Sequence, residues 1–362
     1  MKINIIINKS LNGEMLSLND ANELWHNASL GELMTAAHNL RNIKAIPRKV
    51  SWIIDRNINI TNVCCSGCLF CNFYTSTKSE NAYITSIEEY RTKIAELQKI
   101  GGNQLLLQGG LHPKLGINFY SDLFKTIKSY YPNIKLHALG PPEIVHLAKL
   151  EKISYENVLR ILVESGLDSL PGAGAEILSD RVRNIISKGK CNTQEWLDVM
   201  EIAHKLEITT SATMMYGHIE TLEERLIHLI KIRDVQAIKP ANSKGFISFT
   251  PWPFQHKGTI LNKRLGIVSG FRPDEYIRLI AISRLVLNNI DNIQASWLTV
   301  GREIAQVCLH SGANDLSSIM IEENVVSSAG ANYRMGVEDM KKTILDAGFE
   351  PVLRDQQYSY TA

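Results

Sequence analysis

Four of the chain's six cysteines fall within eight residues, in the run Cys64-Cys65-Ser66-Gly67-Cys68-Leu69-Phe70-Cys71. Read from Cys64, the spacing is C-x3-C-x2-C, and it directly follows a strand-like stretch, Ile53–Ile60. Three thiolates on one loop can hold three corners of an iron–sulfur cubane, which ordinarily takes four. The missing ligand leaves one iron open, and an open metal position is where a small molecule binds and reacts. Cys65 is an extra thiol that does not fit the spacing. Zinc is the competing reading, but structural zinc asks for a second C-x2-C pair or for added histidines. No second pair exists, and Cys191 and Cys308 stand alone, as small buried thiols commonly do. Clustered cysteines in a chain of 362 residues suit metal binding in a reducing compartment, so a cytoplasmic location is expected.

An open iron can take the amino and carboxylate groups of an amino-acid end. S-adenosylmethionine (SAM) carries such an end. One electron passed into its sulfonium would release methionine and a 5′-deoxyadenosyl radical. The cofactor then performs the hard chemistry, and the protein positions it and keeps water out. A non-enzymatic iron–sulfur or zinc-binding protein is the alternative from another class.

Other residues share these strand ends. Gln108-Gly109-Gly110 closes a strand, and its bare glycines let backbone approach a ligand; a tight β/α turn is the plainer account. Phe70 and Tyr74 flank Cys71 and read equally as core. Gly172-Ala-Gly-Ala-Glu176 offers small residues for close approach and an acid able to accept from ribose hydroxyls. An exposed acid in a helix's first turn is the bland version. Met214, Met215 and Gly217-His218-Ile219-Glu220 end a further strand; a lone His218 is more often structural, and Glu220 can cap the next helix. Glu143, Gln294, Ser296, Glu322, Glu323 and Asn324 are polar residues inside apolar runs. Each is as readily structural, yet together they suggest a polar pocket able to hold a ribose. Arg181, Arg183 and Arg302 are candidates to meet a substrate carboxylate.

Something must bring these strand ends together. Strand-like runs are expected at Ile53–Ile60, Gln104–Gln108, Lys135–Leu139, Asp168–Leu170, Thr209–Tyr216, Gly245–Phe249 and Ile293–Leu298, with a weaker one near Asn314–Ile319. Helix-like runs lie between them: Ser86–Ile100, Phe119–Tyr131, Tyr155–Ser165, Glu176–Ile186, Thr193–Leu206, Leu222–Val235 and Asp274–Asn289. The alternation predicts an α/β fold with a parallel sheet, a partial (β/α)6 TIM-type barrel that C-terminal β/α units extend toward eight strands. A doubly wound open sheet is the alternative. In a barrel the cysteine loop sits at the C-terminal mouth, where active sites lie. Residues 1–49 read as an N-terminal helical extension, with two short helices in Leu18–Arg41; 50–290 as the core; and 291–362 as a segment completing barrel and pocket. Val337–Ala347 reads as the last helix and Arg354–Ala362 as a loose tail. The formal charge of +2 shows no nucleic-acid footprint, and no apolar run suits a bilayer, so neither partner is expected.

The stretch Asn59-Ile-Thr-Asn-Val-Cys64 through Cys68-Leu-Phe-Cys71-Asn-Phe-Tyr74 resembles the radical SAM enzymes of menaquinone and deazaflavin biosynthesis. Further matches include Leu107-Gln-Gly-Gly110, Pro141-Pro-Glu-Ile144, Asp168–Leu178, Ala212–Glu220, Phe249–Phe254, Ile293–Trp297 and Met320–Val326. Within that group the chain most resembles the futalosine cyclases, on the Asp168–Leu178 run and Trp252-Pro-Phe-Gln255. Aminofutalosine synthases and the tyrosine-using deazaflavin synthase component are the neighbouring readings. The resemblance implies a [4Fe–4S] cluster on Cys64, Cys68 and Cys71, with SAM on the open iron. It implies that Gln108, Gly109 and Gly110 lie at the SAM methionine end, that Phe70, Tyr74, Met215 and Gly217 lie near adenine, and that Glu176 lies near ribose. Glu143, His218, Gln294, Ser296, Glu322 and Asn324 become candidate substrate contacts. The implied substrate is dehypoxanthine futalosine, a ribose with a benzoate-bearing side chain. The radical would take hydrogen from C4′, the carbon radical would add to the benzoate ring, and loss of an electron and a proton would restore aromaticity. A one-electron donor such as flavodoxin or ferredoxin is implied as partner.

Overall fold

The computed structural model describes residues 1–360. Ten strands are present: β1 (Lys49–Ile53), β2 (Asp55–Asn59), β3 (Gln104–Gln108), β4 (Lys135–Ala138), β5 (Ser169–Leu170), β6 (Thr209–Tyr216), β7 (Phe246–Pro253), β8 (Asn292–Ile293), β9 (Asp315–Ser318) and β10 (Glu350–Leu353). Strands β2 to β8 form one parallel sheet in chain order, with helices in the connections, the order that repeated right-handed β/α units produce. A second, three-stranded parallel sheet has the order β10-β1-β9.

Among the described residues no continuous ladder closes the large sheet. Single bridges, Gln294 with Asp315 and Arg56 with Ile321, set β9 and the residues after it between β8 and β2. Ala295 N donates to Asp315 O at 3.0 Å, and Asn57 N donates to Ile321 O at 3.0 Å.

The strands alternate, but the polar side points inward. Asp55 and Asn57, Gln104 and Gln108, Ser211 and Thr213, and Ser248 and Thr250 all face a central cavity. Their neighbours Ile58, Leu105, Leu107, Ala212, Met214 and Phe249 pack outward in the apolar core. Barrels of this type usually fill the centre with bulky branched side chains. Here polar groups line an interior with room for a ligand.

Several expectations need correction. Ile53–Ile60 is not one strand; it divides at Ile54 between two sheets. Ile293–Leu298 is strand only at its start, and Trp297–Val300 is helical. The helix expected from Glu176 begins at Asp180, because Glu176 adopts φ +44°. Pro141–Glu151 is a helix with proline at its first positions, where the missing N–H costs nothing. Of the tail expected at Arg354–Ala362, residues Arg354–Tyr360 are not loose, and 361–362 lie outside the described residues. Arg354 N donates to Trp52 O at 2.9 Å, and Asp355 Oδ1 accepts from Gln357 N and Ser359 N at 2.8 Å each. That turn delivers Arg354, Gln356 and Tyr358 to the cavity.

At the N-terminus three helices form: Lys2–Leu11, Leu18–Asn27 and Leu30–Lys44. Ser17 with Asp20 and Ser29 with Glu32 make capping boxes that start the second and third. The third packs on helix Pro273–Val286, and the first is tied there by Ser10 Oγ to Leu285 O at 2.7 Å. Among the described residues no helix is long and apolar enough to cross a membrane.

Candidate active site

The cysteine loop leaves the end of β2 and is sewn down by backbone. Cys64 N donates to Thr75 O at 3.1 Å, and Cys65 N to Leu111 O at 2.9 Å. Leu111 N donates to Cys64 Sγ at 3.2 Å. The Ser66 hydroxyl lies 2.9 Å from Cys64 Sγ and 3.4 Å from Cys68 Sγ, so it bridges the two sulfurs. Gly110 makes the approach possible: a Cβ there would lie 2.1 Å from Val63 O and 2.7 Å from Cys64 Cβ. Gly189 does the same across the loop, 2.3 Å from Ser66 O on the same construction. Gly109 is also tight, against Thr61 O. The two glycines after Gln108 thus seat the cysteine loop itself.

Cys68 is buried, Cys64 and Cys71 are half-buried, and Cys65 is exposed. Burial pushes the Cys68 thiol up to about 11, against the pull of Lys190, and also pushes Cys71 up. Such thiols stay protonated until a metal or a cation holds them as thiolates. Among the described residues no three His, Cys, Asp or Glu side chains converge on one metal ion.

Lys190 stands over this loop, and nothing in the sequence singled it out. Its Nζ donates to Glu176 Oε1 at 2.8 Å and sits 5.2 Å from the centre of the Phe70 ring. Glu176 is buried, not an exposed helix acid, and its positive φ turns the carboxylate toward Lys190. Burial alone would raise the Glu176 carboxyl, but the ammonium outweighs it and holds it below its ordinary value. Burial would likewise lower Lys190, and the facing Cys68 and Glu176 raise it instead.

Phe70, Glu176 and Lys190 form part of the rim of a cavity of about 320 Å³ that runs down the barrel. Of the other residues singled out from sequence, Gln108, Met215, Gln294, Ser296 and Glu323 line it. Gln294 Nε2 donates to Tyr358 OH at 3.0 Å and its Oε1 accepts from Thr250 Oγ1 at 2.5 Å. Glu323 is occupied in capping Val325, Val326 and Ser327 N–H groups.

The rest lie elsewhere. Tyr74, Gly109, Gly110 and Gly217 are not among the lining residues. Glu322 faces outward and pairs with Arg56 at 2.8 Å and with Lys93. Asn324 is exposed and donates to Asn59 Oδ1 at 3.1 Å. Glu143 sits behind the rim; its Oε2 is buried without a partner, and burial pushes the carboxyl up to about 7. Arg181 is held by Glu224, Arg183 by the carbonyls of Gly174, Ala175 and Cys191, and Arg302 by Asp339. None of the three reaches the cavity. Asn57, Gln104, His137 and Tyr358, which do, were visible only as the polar half of alternating strands or not at all.

His218 is enclosed too. Its Nε2 lies 3.0 Å from Met215 O, and Nδ1 lies 2.7 Å from Ile219 N and 3.0 Å from Glu220 Oε2. Burial would raise the Glu220 carboxyl, but His218, Arg225 and the Gly217 N–H together depress it to about 2. A depressed carboxyl contributes stability above its unfolded value, near 4.3, and loses it as pH falls through the folded one. Roughly 2 kcal/mol is therefore lost between pH 4.5 and 2 through this group, and the remainder below pH 2. Urea denaturation across that window should show a visibly shallower acid loss in Glu220→Gln than in the parent. Equal slopes would mean that the depression is absent.

Comparison with known proteins places this geometry. Residues 58–230 match the radical SAM superfamily, and residues 243–362 match the CofH/MqnC C-terminal region. The chain is 38% identical over 359 residues to cyclic dehypoxanthine futalosine synthase of Halalkalibacterium halodurans, covering 99% of this chain and 95% of that one. It is 39% identical over 332 residues to 5-amino-6-(D-ribitylamino)uracil–L-tyrosine 4-hydroxyphenyl transferase of Methanococcoides burtonii, covering 90% and 91%. Among solved structures, methylornithine synthase superposes with a TM-score of 0.72 over 97% of this chain and 98% of its own, at 18% identity, a likeness of fold alone. With its near-complete matches to these two enzymes, its two family matches and its cysteine loop at the mouth of a parallel α/β sheet, the chain belongs to the radical SAM enzymes that carry the CofH/MqnC C-terminal region.

Proposed function

We propose that the chain cyclises dehypoxanthine futalosine to cyclic dehypoxanthine futalosine for menaquinone synthesis in the cytoplasm. The observation that carries this is the match to a synthase of that name along 99% of the chain. The runs that set this reading apart also supply cavity wall: Pro171, Ala173, Gly174 and Glu176 from one, Trp252 to Gln255 from the other.

Membership of the superfamily implies a [4Fe–4S] cluster and SAM. The donor set fits the cluster: three thiols on a backbone-anchored loop, two of them sharing the Ser66 hydroxyl and one accepting an N–H. Cys64, Cys68 and Cys71 would hold it, leaving one iron without a protein ligand. When bound and reduced by a one-electron donor such as flavodoxin or ferredoxin, it supplies the electron that splits SAM and so a hydrogen-abstracting 5′-deoxyadenosyl radical.

The remaining work belongs to the protein. Phe70, Met215, Trp252, Phe254 and Trp297 surround the cavity with apolar surface that keeps water from a reactive carbon. Glu176, kept ionised by Lys190, would present acceptor oxygens to ribose hydroxyls of SAM. The polar strand residues below would hold the small-molecule substrate.

Incubating the reduced, cluster-loaded enzyme with SAM and dehypoxanthine futalosine should yield one free 5′-deoxyadenosine per cyclised product. Incorporation of the deoxyadenosyl group into product, with an enolpyruvyl benzoate as acceptor, would instead make it an aminofutalosine synthase. A second reading follows from the transferase relative: consumption of L-tyrosine with 5-amino-6-(D-ribitylamino)uracil, and no cyclisation, would establish that one.

A further inference from the structure

The floor of the cavity differs chemically from its rim. Asn57 from β2 and Gln104 from β3 are buried, and Asn57 Oδ1 and Gln104 Oε1 have no hydrogen-bond partner. Gln104 Nε2 donates to Asp55 Oδ2 at 3.3 Å. Buried polar atoms left empty are costly, so a site that keeps these two amides is built for a polar ligand.

The charged groups nearby are already engaged. Asp315 takes Arg354 Nε at 2.5 Å and Nη2 at 3.2 Å, and Asp355 O takes Nη1 at 3.1 Å. Asp55 faces Ser318 and Gln104. His137 Nδ1 lies 2.7 Å from Ser169 Oγ, and burial keeps the ring neutral. The floor therefore offers neutral amides and hydroxyls, and no free cation among these residues. A carboxylate would meet the Asp55 carboxyl there with no cation to offset it. A hydroxyl can donate to an amide oxygen or accept from an amide nitrogen, so it pairs with either end of the Asn57 and Gln104 side chains.

We infer that this floor reads the hydroxyl groups of a sugar or polyol through Asn57 and Gln104, and that the substrate's carboxylate points away from it. The inference rests on the proposed function for its substrate, the ribose of dehypoxanthine futalosine. It applies equally to the ribityl chain of the transferase's substrate.

The test uses the cluster-loaded enzyme, with iron content and SAM affinity as controls. Both dehypoxanthine futalosine and the ribitylaminouracil–tyrosine pair are offered in parallel. For whichever is turned over, Asn57→Leu and Gln104→Met should raise KM by roughly tenfold to a hundredfold, with SAM affinity unchanged. An analogue lacking one sugar hydroxyl should bind the wild-type enzyme at least tenfold more weakly than its parent. In a variant that removes the matching amide, analogue and parent should bind alike. Parent-like KM in both variants would overturn the inference. So would wild-type enzyme that binds every deoxy analogue as tightly as the parent, a comparison that needs no variant to fold. Turnover of the tyrosine pair alone would defeat the cyclase reading while the same variants still judge the floor.

Discussion

Cys68→Ala is expected to yield reconstituted protein that is colourless, short of iron and sulfide, and unable to cleave SAM, with activity down roughly 10³-fold or more. Cys65→Ala is expected to keep colour and activity. The contrast follows from where the two thiols sit. Cys68 is buried, with its sulfur shared through Ser66 with Cys64 and facing the Lys190 charge. Cys65 is exposed, and its N–H, not its sulfur, is what anchors the loop, to Leu111 O. Absorbance near 400 nm and iron content per chain, measured after anaerobic reconstitution, give the answer. Loss of the cluster in Cys65→Ala would show that the thiolate register begins elsewhere.

Lys190→Met should destabilise the cluster-free protein by about 3 kcal/mol, the usual result of stranding one member of a buried ion pair. Glu176 is only 7% exposed and would be left without its ammonium. Adding Glu176→Gln should recover much of that loss, because the stranded charge is then gone. Denaturant midpoints of the single and double variants measure this directly, provided the slope of unfolding is unchanged. A loss below about 1 kcal/mol would mean that the pair is solvated in solution, since exposed pairs contribute no more than that.

Much of this site could be read along the chain because the signals are local. The C-x3-C-x2-C spacing, the paired glycines after Gln108 and the small residues before Glu176 each fit within a dozen positions. The long-range features could not. Lys190 acquires its meaning from Glu176, 14 residues earlier, and no periodicity connects them. Glu143 lies in the first turn of helix Pro141–Glu151 and His218 at the end of β6, yet one sits behind the rim and the other is closed in by its own turn. The helix at Pro141 was obscured by two prolines that break helices in mid-course but start them well. Arg354–Tyr360 carries too many polar residues to look like core. It is ordered because the barrel interior is polar, and a polar turn is what can dock there.

The pairing of β1 with β9 and β10 also governs how the chain can fold. Ser51 sits opposite Val352 and beside Asp315, contacts that span some three hundred positions. Closing such loops is slow, and the seven-stranded sheet can assemble first from neighbours in sequence. During synthesis β1 emerges early and waits with both edges open until its partners are made, a template for wrong pairing in the interval. The span from β9 to β10 thus acts as a fastener for the first strand, and a chain interrupted before it would be a natural client for chaperones.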